Sequence, residues 1–126
     1  TNVPGASAIF AGGVLTYSNA MKQKLLGVSE STLAEHGAVS KSVAIEMVEG
    51  ALKVSGADHA LSVTGIAGPG GGTPDKPVGT VWLGVASRGG RPLAIRKFHP
   101  YDRETFKHAT VHQALELLRR RLQKIG

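Results

Sequence analysis

The chain has 126 residues, with 15 Lys and Arg against 9 Asp and Glu and a formal charge of +6 when its five histidines are neutral. That length fits one packed unit, and 41% apolar with 19% charged residues allows a core and argues against wholesale disorder. With no cysteine, a disulfide framework, thiolate metal sites and a cysteine nucleophile are excluded.

The first residues, Thr1-Asn2-Val3-Pro4-Gly5, read as a turn from mid-domain, so a processed protein or a fragment is expected. They lack the basic and apolar regions of a signal peptide, and the apolar runs fall far short of a bilayer span. A soluble, cytoplasmic α/β domain with no membrane partner is expected. Residues 8–17 (AIFAGGVLTY) are apolar and β-prone on both sides of Gly12-Gly13, which predicts a buried strand with a bulge at the glycines. Asn19 is placed to cap a short helix through Leu26, stopped by Gly27. Ser29 opens another short helical segment ending at Gly37. Ser40 caps a clearer helix over 41–54, in which Ala44, Met47, Ala51 and Val54 recur at helical spacing, with Gly56 as its stop.

Residues 60–64 (ALSVT) predict a strand, 78–87 (VGTVWLGVAS) a second, and 92–98 (PLAIRKF) an edge strand reached through the hairpin turn Arg88-Gly89-Gly90-Arg91. A long helix follows from about Arg103 to Lys124. Its Val111, Leu115, Leu118, Leu122 and Ile125 form one apolar seam, expected to dock on the sheet. Helices on a mixed sheet are the economical arrangement for these elements.

Glycine is the outlier of the composition: 17 residues, roughly twice the usual share of about 7%. Five of them fall in 65–72, within the stretch TGIAGPGGGTPDKP (64–77) that follows a predicted strand. Ligands gather at strand ends in α/β sheets. Consecutive glycines let N–H groups converge on an anion, and Thr64, Thr73 and Lys76 can add hydroxyl and cationic contacts. This reads as a phosphate or nucleotide cradle, against the plainer alternative of a surface loop. Neither a P-loop nor a G-x-G-x-x-G spacing is present.

At the end of the first predicted strand, Tyr17 and Lys22 can face the same edge. A desolvated lysine can serve as a general base, and a phenol can relay a proton or donate to an oxyanion. Arg103, beside the candidate cap Asp102, can hold a phosphate or carboxylate bidentately. Of His36, His59, His99, His108 and His112, only the last two share a helix face, without the glutamate of a zinc motif, so solvated or half-buried side chains are expected and no metal site. The run Arg119-Arg120-Arg121 suits a helix C-terminus. Without interleaved aromatics it gives little reason to expect a nucleic-acid partner.

Taken in order, VPGAS (3–7), GGVLTYSNAMK (12–22), LLGV (25–28), HGAVS (36–40), ADHALSVTGIAGPGGGTPDKPVGTV (57–81) and DR (102–103) resemble the C-terminal domain family of CinA, the competence/damage-inducible protein. Free-standing members of that family are nicotinamide-nucleotide amidases. The resemblance spans nearly the whole chain. It implies a three-layer α/β/α fold with a mixed sheet, a single domain over 1–126, and a homodimer or larger assembly. The activity implied is hydrolysis of the carboxamide of nicotinamide mononucleotide to nicotinic acid mononucleotide and ammonia, without a cofactor.

The resemblance also implies roles. Lys22 matches a lysine paired with a serine nucleophile from an Ala-Glu-Ser-x-Thr-Gly-Gly segment, and Tyr17 matches a residue lining that site. Ser7, Thr64 and the turn from Gly65 to Gly68 match positions around the nucleotide; Thr73 is a further candidate contact from the reading of the loop itself, not from the resemblance. Arg103 matches an arginine placed for the substrate phosphate. The serine segment belongs ahead of VPGAS and is not within these 126 residues, so an N-terminally incomplete domain is expected. Tyr101-Asp102-Arg103 replaces the family's Gly-Asp-Arg, and Lys107 stands where an arginine is usual. The alternative reading is a non-catalytic nucleotide-binding or competence/DNA-damage-associated regulatory domain.

Overall fold

Four short polar side chains decide where the helices begin. Ser18 accepts the Met21 N–H and opens α1 (Asn19–Leu26), and Ser29 accepts that of Thr32 and opens α2 (Glu30–His36). Ser40 accepts the Val43 N–H at the start of α3 (Lys41–Ser55), and Asp102 that of Thr105 at the start of α4 (Arg103–Leu122). Each satisfies a donor that the first helical turn leaves unpaired. The cap of α1 is thus Ser18, one residue before the expected Asn19. Gly27, Gly37 and Gly56 end α1, α2 and α3 as expected. The computed structural model describes residues 1–124, and Ile125 of the expected seam lies outside them.

Three strands follow α3: β1 (His59–Gly65), β2 (Thr80–Ser87) and β3 (Leu93–Phe98), in spatial order β1-β2-β3. Both pairings are antiparallel, with Ser62 opposite Gly84 and Leu83 opposite Ile95. Side chains alternate across the sheet. Ser62, Thr64, Gly84 and Ala86 point to α3, where the Ser62 hydroxyl donates to the Ala44 carbonyl at 2.7 Å. At Gly84 helix and sheet approach closely: a Cβ there would collide with the Ser62 hydroxyl and lie 2.9 Å from the Ala44 carbonyl.

The other face carries Val81 and Leu83, packed with Leu61 and Ile95 against Phe106, Ala114 and Leu117 of α4. A second apolar cluster, Leu26, Val28, Leu33, Val43 and Met47, ties α1 and α2 to α3. Helices therefore cover both faces, and the α/β fold in three layers stands as expected. Among the described residues no helix is long and apolar enough to cross a membrane.

Three expectations are corrected. Residues 8–17 do not form a strand: a 3-10 turn spans Ala6–Ala8, and 9–17 join no ladder. Ile9, Leu15 and Tyr17 are 90%, 91% and 87% exposed. An apolar, β-prone run becomes a strand only where a neighbouring edge pairs with it, and among the described residues none does. For the same reason the described sheet is antiparallel throughout, without the parallel strand of a mixed sheet.

The third correction concerns α4. Val111, Leu115 and Leu122 are each more than half exposed, whereas Phe106, Thr110 and Ala114 are buried. Phe106 brings the largest ring to the sheet, and the small Thr110 and Ala114 let the helix lie close behind it. Of the seam, Val111, Leu115 and Leu122 consequently turn to solvent, and Leu118 is half-buried.

Candidate functional site

The glycine-rich segment leaves β1 and returns to β2 as a closed loop over 66–79. The N–H of Ile66 donates to the Thr80 carbonyl at 2.9 Å and that of Gly79 to the Ile66 carbonyl at 2.8 Å. At the tip, the Thr73 N–H donates to the Lys76 carbonyl at 2.9 Å and the Lys76 N–H to Thr73 Oγ1 at 3.0 Å. Gly68 has φ of 81°, and a Cβ there would drive into the Val78 side chain, so only glycine fits. Around Gly65, the Val81 and Phe106 side chains and the Thr80 carbonyl fill the space a side chain would take.

This loop is packed on itself more than the expected cradle would be. The Thr64 hydroxyl donates to the Ala38 carbonyl at 2.7 Å, so it faces the connection between α2 and α3. Thr73 is occupied by the tip turn, and the Lys76 ammonium donates to the His36 carbonyl at the end of α2. These three side chains do not converge on an anion. The N–H groups of Gly70, Gly71 and Gly72 make no hydrogen bond among the described residues, and such groups can take one.

Arg103 is the first residue of α4, and its guanidinium joins distant parts of the chain. Nη1 donates to the Gly68 carbonyl at 2.9 Å and Nη2 to the Tyr17 hydroxyl at 3.3 Å. A guanidinium has five N–H donors, so these two bonds leave others for a ligand. The positive end of the α4 dipole adds to its field. Asp102 does not neutralise Arg103: its carboxylate accepts both the N–H and the hydroxyl of Thr105 at 2.9 Å, which hold its pKa below the usual carboxylate range.

The Lys22 amine donates to the Thr16 carbonyl at 2.6 Å. Only 7% of the residue is exposed, and burial lowers its pKa below the ordinary lysine range. The carbonyl that anchors it directly precedes Tyr17, although no hydrogen bond joins Lys22 to the loop among the described residues. Tyr17, Gly68 and Arg103 are therefore brought together, with Lys22 held next to Tyr17 along the chain. Ser7 stays apart: it is exposed in the 3-10 turn, with no side-chain hydrogen bond among the described residues.

His99 was expected to be solvated or half-buried; it is 8% exposed. Its N–H donates to the Gly79 carbonyl at 2.8 Å, and its ring stacks on Tyr101 and meets Phe106 edge-on. Burial, then the charge of Lys97, lowers its pKa, and its Nε2 has no hydrogen-bond partner among the described residues. It thus pins the corner that leads into Arg103. The only sequence signal for it is its place between a strand end and Pro100. Among the described residues no three His, Asp or Glu side chains gather to hold a metal ion.

A model of the CinA C-terminal domain matches residues 1–122. The chain belongs to that family. This CinA domain is 52% identical over 115 residues to a CinA-like protein of Akkermansia muciniphila, covering 91% of the chain and 28% of that protein. It is 47% identical over 118 residues to the nicotinamide-nucleotide amidohydrolase PncC of Escherichia coli K12, covering 94% of the chain and 72% of that protein.

Among solved structures, the competence/damage inducible protein CihA from Agrobacterium tumefaciens has a TM-score of 0.89 at 44% identity, covering 92% of the chain and 71% of that protein. The competence damage-inducible protein A from Klebsiella pneumoniae gives 0.91 at 38% identity, over 96% and 74%. The CinA domain thus spans less than a third of the CinA-like proteins it matches and about seven-tenths of the E. coli PncC amidohydrolase.

Proposed function

We propose that this domain forms the substrate-holding part of an amidase that hydrolyses nicotinamide mononucleotide to nicotinic acid mononucleotide and ammonia. Its similarity to PncC amidohydrolases supports that reading. The observation that carries it is the Arg103 guanidinium bridging the Gly68 carbonyl and the Tyr17 phenol. In this reading the remaining Arg103 donors and the N–H groups of the glycine turn bind the nucleotide phosphate. Gly68 holds Arg103 through its carbonyl, Gly65, Thr64 and Thr73 shape the loop behind it, and Ser7 is assigned to the rim of the site.

The chemistry then falls to three groups. The serine of a Glu-Ser-x-Thr-Gly-Gly segment, outside these 126 residues, attacks the carboxamide carbon while neutral Lys22 takes its hydroxyl proton. The phenol oxygen of Tyr17 accepts from Arg103, which leaves its own proton free to donate to the tetrahedral oxyanion. Lys22 returns the proton to the departing amine, ammonia leaves, and water cleaves the acyl-enzyme. No step calls for a metal or a cofactor. The reaction takes a small-molecule substrate, in line with a soluble enzyme.

The test is nicotinic acid mononucleotide formation by a protein carrying the serine segment ahead of this chain. Lys22→Ala is expected to lower kcat by about 10²–10⁴-fold with the unfolding transition retained, and chelator to leave turnover intact. Full activity in a folded Lys22→Ala protein would overturn the assignment of the base. Nucleotide binding without any turnover in the serine-bearing protein would instead favour the non-catalytic reading.

A further inference from the structure

The described sheet ends at β3, which pairs only with β2. In an antiparallel ladder, alternate residues turn their backbone groups to opposite sides. The His99 N–H donates to the Gly79 carbonyl, and the register sets Phe98 opposite Thr80. Residues 93, 95 and 97 therefore bond to β2, and the N–H and C=O groups of Ala94, Arg96 and Phe98 point outward.

On the α4 side of this edge lies a groove of roughly 380 Å3, floored by Val85, Leu93 and Ile95 and walled by Leu117. Lys97 and Arg121 stand in the same lining. Neither has a carboxylate within ion-pair distance among the described residues; Arg121 donates only to the neutral Ser87 hydroxyl at 3.2 Å. The one acid of the groove, Glu116, is held by two bonds of 2.7 Å from Arg119.

We propose that the free edge of β3 and the groove beside it take an extended acidic peptide segment as an added strand. Its backbone pairs with Ala94, Arg96 and Phe98, its apolar side chains settle on Leu93, Ile95 and Leu117, and its carboxylates meet Lys97 and Arg121. Charge complementarity selects this occupant over a second copy. A copy of the same edge brings Arg96 and Lys97, on a chain of net charge +6, against their like. The site lies outside the Arg103 cluster and does not depend on amide hydrolysis.

The experiment uses the labelled peptide TVTVTETET, whose Val and Glu share one face of a strand, and TVTVTKTKT as control. Anisotropy at low salt reads binding, and amide exchange by NMR reads its place. The Glu peptide is expected to bind, to slow exchange at Ala94, Arg96 and Phe98, and to lose affinity with added salt. Lys97→Glu combined with Arg121→Glu is expected to weaken it about tenfold. Should that pair of changes disturb folding, Arg96→Pro, which removes one outward N–H, serves as the second variant. Equal binding of both peptides, protection elsewhere, or no binding would overturn the proposal; the last is expected if the cations only guard the edge against pairing. Self-association that protects the same amides without peptide would also overturn it in favour of a second copy.

Discussion

Lys22 and His99 are both pushed toward their neutral forms by burial, with opposite uses. In the proposed reaction the neutral Lys22 amine is the working base, so kcat/KM is expected to rise with pH through its lowered pKa and then level off. Lys22→Arg, which stays charged, should lie flat near zero across that range. For His99 the shift shows in stability. The unfolded chain takes up a proton as pH falls below about 6.5, while the folded ring resists it. Stability is therefore fully present above that value and is lost as pH falls through the lowered folded pKa. Urea midpoints measured against pH should show this slope, and His99→Gln should flatten it; identical slopes would remove His99 as its source. Residue type and place offered Tyr17, Lys22 and Arg103 only as candidates, and the family resemblance gave them roles; the structure joins Tyr17 and Arg103 by a hydrogen bond. His99 was not legible, because the burial comes from Tyr101 and Phe106 folding around it and not from any local pattern.

At the level of elements, α4 offers the clearest contrast. Phe106→Ala is expected to cost about 3–5 kcal/mol, because the ring sits against Val81 and Leu83. Leu115→Ser, on the exposed face, should stay within about 0.5 kcal/mol. Denaturant unfolding of the two variants decides it, and the reverse order would mean that the seam, not Phe106, docks on the sheet. The capping Ser29 and Ser40, the helix-stopping glycines and the three strands after α3 were readable because each signal is local, and the α1 cap was missed by one residue. Two signals misled because they needed a partner to resolve them. Residues 8–17 have the composition of a strand and no ladder to join, and α4 carries two stripes at helical spacing, of which the less leucine-rich packs closer.

For the molecule as a whole, the fold's contribution to chemistry is to close large gaps in sequence. Tyr17 and Arg103, 86 positions apart, meet in one hydrogen bond, and the loop between β1 and β2 supplies the carbonyl beside it. A net charge of +6 favours an anionic substrate, but that bond network, not the charge, places the phosphate in this account. The most direct measurement is a cycle of four kcat/KM values on the serine-bearing protein. Wild type and Arg103→Met are each assayed with nicotinamide mononucleotide and with nicotinamide riboside, which lacks the phosphate. Loss of Arg103 is expected to cost about 10- to 100-fold on the nucleotide, the worth of a charge-assisted hydrogen bond, and much less on the nucleoside. Equal losses on the two substrates would contradict the account.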